Sequence, residues 1–171
     1  MEPLTPHQAL AQAASLELKI AELDEDEQYF TTLGYCAHHR HWLIPEGHRG
    51  EVLPAPAINA VPFAPPYCLG IANVRGAIVP IFDVAQCMGG RTKRARYILL
   101  TGPVADPLGI VLEDIPKTLQ IFDRQKAEVS AELASEDWAH ALSSAYTIEQ
   151  QYWHCLDLAS LLTDAHERGS M

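Results

Sequence analysis

IFDVAQCM (Ile81–Met88) and CLDLASLL (Cys155–Leu162) follow one pattern: two apolar residues, an aspartate, an apolar residue, an alanine, a polar residue and two more apolar ones. Each reads as a strand ending at an aspartate that caps a short helix, with Asp83 and Asp157 accepting N–H groups that the first turn leaves without partners. Gly89 follows the first copy where a helix stop is expected. Two copies of strand, aspartate cap and helix imply two similar halves. The runs around them are short and rich in Val, Ile and Leu: AIVPIFDV (77–84), RYILLTG (96–102) and LGIVLEDI (108–115). Turn residues separate them, GPVADP (102–107) reading as a hairpin connection, and no long helix lies among them. The halves are therefore expected to be small β-barrels.

Working outward, YFTTLGYCAHH (29–39) and HWLIPEGHRGEVL (41–53) carry short apolar bursts broken by Gly34, Gly47 and Gly50, again strand and turn. PAPAINAVPFAPP (54–66) holds five prolines and is expected to run extended over the surface. Residues 127–143 mix Leu133, Trp138 and Leu142 with Glu128, Glu132 and Glu136, and read as helix or irregular insertion. At the other end, residues 1–28 read as an appended helix. Thr5 and Gln8 have capping-box spacing, Pro6 takes the first helical position, and Leu16, Ile20 and Leu23 recur at helical spacing before the acidic ELDEDE.

Composition narrows the function classes. The 171 residues suit one domain or two small lobes, and 48% apolar content is enough for an interior. A formal net charge of −10 repels phosphate backbones and anionic lipid, so neither nucleic acid nor membrane insertion is expected. RTKRAR (91–96) is locally basic, but it sits between a glycine pair and a strand and reads as a solvated linker rather than an anion patch. No apolar run approaches the roughly 18 residues of a membrane span, and the N-terminus lacks the layout of a secretory signal. A cytoplasmic location follows as the expectation. The four cysteines (36, 68, 87 and 155) form no CxxC pair and are read as small apolar residues.

GIANVRG (Gly70–Gly76) places an arginine on a glycine turn between segments that want burial. Gly70 and Gly76 are expected to supply positive φ or a close backbone approach. Arg75 is either a solvated turn residue or an anchor for a partner, arginine being favoured at interfaces.

LGIANVRGAIVPIFDVAQCMG (69–89) resembles the turn-and-strand motif of CheW-like domains: glycine, an apolar–Asn–apolar–Arg–Gly turn, then an apolar strand bearing proline and ending at aspartate. GEVLPAP (50–56), INAVPFAPPYCLG (58–70), LGIVLEDI and YWHCLDLASLL (152–162) extend the likeness over roughly residues 30–165. The resemblance implies a mainly β fold of two interlocked, SH3-like five-stranded barrels, residues 29–165, with residues 166–171 as a tail. It also implies a non-catalytic adaptor, without cofactor or metal. Such an adaptor couples the cytoplasmic tip of a methyl-accepting chemoreceptor to the regulatory domain of a CheA-like histidine kinase, and is recruited to membrane receptor arrays. Carried over by position, the partner-binding residues are Arg75 with Asn73, Val74 and Gly76, and Glu51 with Arg49 and Val52. Within the family, the appended helix and the ANVRG wording are most similar to PilI-like adaptors of type IV pilus systems. A flagellar or other chemosensory array is the alternative.

Two departures from the family pattern fall in the second barrel. SSAYTIEQQYW (143–153) lacks the glycine usual before the last strand, and Pro116 stands where a strand would continue. An alternative of another class is a metal-dependent enzyme using Cys36, His38, His39, His41 and His48. Were residues 36–42 one strand, alternation would split that set between two faces. No GxSxG, phosphate loop or dinucleotide fingerprint accompanies it.

Overall fold

The computed structural model describes residues 28–48, 50–102 and 105–169. The expected N-terminal helix (1–28) lies outside them except for its last residue, as do Arg49, part of the 102–107 connection and the end of the tail.

Eleven strands build two sheets among the described residues. The chain enters through β1 (Tyr29–Ala37) and β2 (Arg40–Leu43). It then makes β3 (Gly50–Pro54), β4 (Cys68–Val74), β5 (Ala77–Phe82), the short helix α1 (Val84–Cys87), β6 (Tyr97–Thr101) and β7 (Leu108–Leu112). It returns through β8 (Lys117–Phe122), the two-residue β9 (Lys126–Ala127), α2 (Ala131–Ala134), β10 (Leu142–Ile148), β11 (Gln151–Leu156) and α3 (Leu158–Gly169). The central sheet runs β3-β6-β7-β5-β4 and the outer sheet β8-β1-β2-β11-β10-β9. The expected mainly β fold of two small barrels is present, and the outer one is five strands with β9 added at its edge. The barrels interlock: the central barrel is continuous in sequence and is inserted between β2 and β8 of the outer one. Pro116 marks that boundary: it is buried between β7 and β8, where the chain leaves one sheet for the other and no ladder needs its missing N–H.

Side-chain alternation sorts the core into three parts. Ala72, Val74, Val79, Ile81, Ile98 and Val111 fill the central barrel. Leu43, Ile121, Tyr146, Ile148, Trp153 and Cys155 fill the outer one. The opposite faces of the same strands supply Tyr35, Trp42, Leu99, Ile110, Leu112 and Leu156 to the layer between the barrels. Strands buried on both faces read as continuous apolar runs, which is why RYILLTG and LGIVLEDI show no alternation. Residues 127–143 are irregular with short helical pieces, anchored in the middle layer by Leu133 (1% exposed) and Trp138, which meets Trp42 edge-on at 5.8 Å.

Both expected caps form. Asp83 Oδ1 accepts from the Ala85 amide (3.1 Å), and Asp157 Oδ1 accepts from the amides of Ala159 (3.0 Å) and Ser160 (3.3 Å). Gly89 follows the end of α1 with φ +81°, the left-handed stop expected of it. The hairpin departs from expectation in its residue choice: β10 and β11 join through Glu149 and Gln150 at φ +48° and +65°. This two-residue turn of the primed kind suits the strand twist and is usually given to glycine or asparagine.

Candidate functional site

The β4–β5 hairpin turns on Arg75 (φ +53°) and Gly76 (φ +86°), with Val74 and Ala77 paired at its base. Positive φ at both central residues makes the turn tight and aims the Arg75 side chain outward. Asn73 braces it, its Oδ1 accepting from the Gly76 amide at 2.8 Å. Val74 is buried in the central barrel and gives the turn its footing, so its side chain is not part of the exposed surface. Gly76 is set by conformation rather than space, since a Cβ there would meet nothing within 4 Å.

Glu51 stands on β3, at the opposite edge of the central sheet from β4. The sheet curls until the two edges face each other, and Arg75 closes the seam. Its Nη1 donates to Glu51 Oε2 at 2.9 Å and its Nη2 to Glu51 Oε1, a bidentate pair. The family resemblance places these two residues in one expected binding set. The structure adds that they hold each other while staying in solvent, with the arginine side chain 68% exposed and the glutamate 42%. An exposed pair of this kind contributes only about 0–1 kcal/mol to stability, so its worth lies in orienting two charged groups. Val52, next along β3, is half-buried against the layer between the barrels.

Gly70 has φ +136°, and a Cβ on it would lie 2.1 Å from the Asn59 carbonyl oxygen. The proline-rich segment passes there, bridging to β4 by Asn59 N–H to Ile71 O (2.8 Å) and Ile71 N–H to Asn59 O (2.9 Å). The expected close backbone approach is thus made by this chain itself. Asp83 does more than cap: its Oδ2 accepts from the Thr92 amide (2.9 Å) and its Oδ1 from the Thr92 hydroxyl (2.8 Å), fastening the start of RTKRAR. The rest of that basic stretch is mostly exposed.

The histidines form no single strand. The chain reverses at His38 and His39, both at positive φ, so Cys36 pairs across the hairpin with His41. The ring of His41 lies against Trp153 at 4.7 Å. Among the described residues no three His, Cys, Asp or Glu side chains gather in a way that could hold a metal ion. Of the four cysteines, Cys36 is exposed, Cys68 and Cys87 are half-buried and Cys155 is buried. Cys36 lies with His38, His39, Arg91 and Lys93 on an open cleft of about 490 Å³. A smaller, mostly apolar cleft of about 180 Å³ opens where the barrels meet, lined by Ile44, Pro45, Leu108, Leu156 and Leu158. Sequence reading did not single out Phe63, which is fully exposed. The signal for it was available, as Val-Pro-Phe-Ala reads as a turn with proline at its second position.

Residues 33–166 match the family described as CheW-like domain. The chain belongs to the CheW-like domain family. Among curated proteins it is 27% identical over 94 residues to protein PilI of Pseudomonas aeruginosa, a stretch covering 53% of each chain. It is 30% identical over 81 residues to a probable chemotaxis protein CheW of Rhizobium etli, covering 44% of this chain and 52% of the relative. The chain thus spans about half the length of these curated relatives. Among solved structures, the scaffolding protein TtCheW of Thermoanaerobacter tengcongensis superposes with a TM-score of 0.67 at 15% identity, covering 78% of this chain and 92% of that one. This likeness carries the two-barrel fold. Among the described residues no helix is long and apolar enough to cross a membrane.

Proposed function

We propose that this CheW-like chain is a cytoplasmic adaptor that links the tip of a chemoreceptor to the regulatory domain of a CheA-like histidine kinase, acting by binding alone. The observation that carries the reading is the exposed Arg75–Glu51 pair at the mouth of the central barrel. A bidentate arginine held by its own chain is already oriented, so a partner carboxylate or backbone carbonyl can bind it with little ordering cost. An adaptor needs a second contact area, and the apolar cleft between the barrels offers one that accepts an apolar side chain of the other partner. The Arg75 turn is footed in the central-barrel core and the cleft in the layer between the barrels, so packed interiors hold the two areas in fixed positions.

Similarity to PilI supports an array that controls type IV pili. Similarity to the rhizobial CheW supports a chemotaxis array as the second reading. Calorimetric titration against a purified kinase regulatory domain and a receptor tip fragment tests the adaptor role. Arg75→Glu is expected to fold normally and to lose about 2 kcal/mol of binding to one partner. Unchanged affinities in a folded variant remove Arg75 from the interface. The array is decided by which kinase, pilus-linked or flagellar, is bound more tightly.

A further inference from the structure

Between the paired charges Glu51 and Arg75 the chain has no Asp, Glu, Lys, Arg or His at all. In a protein of net charge −10 with 34 charged side chains, this is the stretch least fitted to meet a charged surface. Midway along it, Val61–Ala64 folds into a turn closed by Ala64 N–H to Val61 O at 3.3 Å. Pro62 holds the second position and Phe63 the third, at φ +62°. This is the arrangement of a type II turn, whose third position belongs to glycine or asparagine. A phenylalanine there is strained, and here the strain gains no packing: Phe63 is 106% exposed, with Val61 (41%) and Pro62 also exposed beside it. Strained conformations persist where the surroundings hold them, and they cluster at sites of function.

The surroundings hold this one from both sides. Upstream, Asn59 is bonded to β4 in both directions; downstream, the Cys68 amide donates to Pro65 O at 2.8 Å, and Pro65 and Pro66 stiffen the return. A large aromatic ring is thus carried on a rigid mount, at the start of β4, whereas Arg75 follows its end. Rigid presentation cuts the ordering cost of binding, and aromatic side chains seated in partner pockets are typical anchors of interfaces.

We propose that Phe63 is an aromatic anchor that enters an uncharged, apolar pocket on a protein partner, forming a contact separate from Arg75. The inference rests on the adaptor reading and adds a second named contact to it. A second copy of this chain is the poorer occupant, because two molecules of charge −10 repel one another.

The test uses the full chain with Phe63→Gly and Phe63→Tyr, titrated into the kinase regulatory domain and the receptor tip fragment of the same organism. Phe63→Gly relieves the turn and is expected to raise the melting temperature while weakening one of the two affinities at least about tenfold. Phe63→Tyr keeps the ring and most of the binding. A Phe63→Gly protein that binds both fragments as wild type does overturns the anchor, and the adaptor reading then stands on Arg75→Glu alone. Wild type binding neither fragment overturns both. Self-association of wild type that Phe63→Gly abolishes in sedimentation, or wild-type binding to phosphatidylcholine vesicles that it abolishes, assigns the ring to another occupant and overturns the proposal.

Discussion

Asp83, at the end of β5, is 2% exposed and accepts bonds from Ala85 and from both the amide and hydroxyl of Thr92. Asp157, at the end of β11, is half-buried and, among the described residues, its side chain accepts only from its own helix, at Ala159 and Ser160. One sequence pattern therefore performs two jobs. In the outer barrel it starts a 12-residue helix. In the central barrel the helix is four residues long, and the aspartate instead ties down the segment leading into β6. The local motif sets the conformation, and burial sets how much depends on it.

The largest effect should come from Asp83→Ala, which strands three donors at a buried site and is expected to cost about 3 kcal/mol in urea unfolding. A loss no greater than that of Asp157→Ala would erase the contrast between the two junctions. Next, Gly70→Ala forces a Cβ into the Asn59 carbonyl at a φ that alanine resists, for about 2 kcal/mol. Its amide exchange should rise at Ile71 and leave the outer barrel as it was. Asp157→Ala removes an ordinary cap and should cost about 1 kcal/mol, read as lost helical signal.

The smallest effect sharpens the comparison from the other side, because it comes from β11, the strand that leads into Asp157. His154 is 4% exposed and its Nε2 has no partner among the described residues. Burial pushes its pKa below the usual 6.5, and the charge of Arg40 pushes the same way. The folded state therefore holds the neutral ring, and the unfolded chain binds the proton more readily. Stability is complete above the unfolded value of about 6.5, declines as pH falls below it, and levels off once the folded-state value is passed. Denaturation at roughly pH 7.5 and pH 5.5 should show this decline in wild type and less of it in His154→Leu. Equal declines would assign the acid sensitivity to other groups.

Features set by neighbouring residues were legible in the sequence. The caps at Asp83 and Asp157, the stop at Gly89 and the conformations of Gly70 and Gly76 each depend on a few adjacent positions. The strands buried on both faces were legible as short apolar runs. The Arg75–Glu51 bond was not, because it exists only once a sheet has curled edge to edge. The interlocking of the barrels came from the family resemblance rather than from periodicity, since strand order leaves no mark on local pattern. The turn at His38–His39 escaped because ordinary side chains occupy backbone positions that glycine or asparagine normally advertises; at Phe63 the local sign was the proline before it.

The nesting of the barrels limits how the molecule can be taken apart. β3 through β7 form one uninterrupted piece, which a gene could lend or borrow whole by joining the chain at two points. The outer barrel has no such freedom: every continuous fragment holding both β2 and β11, which lie side by side in parallel, carries the central barrel with it. Recombination can exchange the inner module, but the frame around it is inherited together with whatever it encloses.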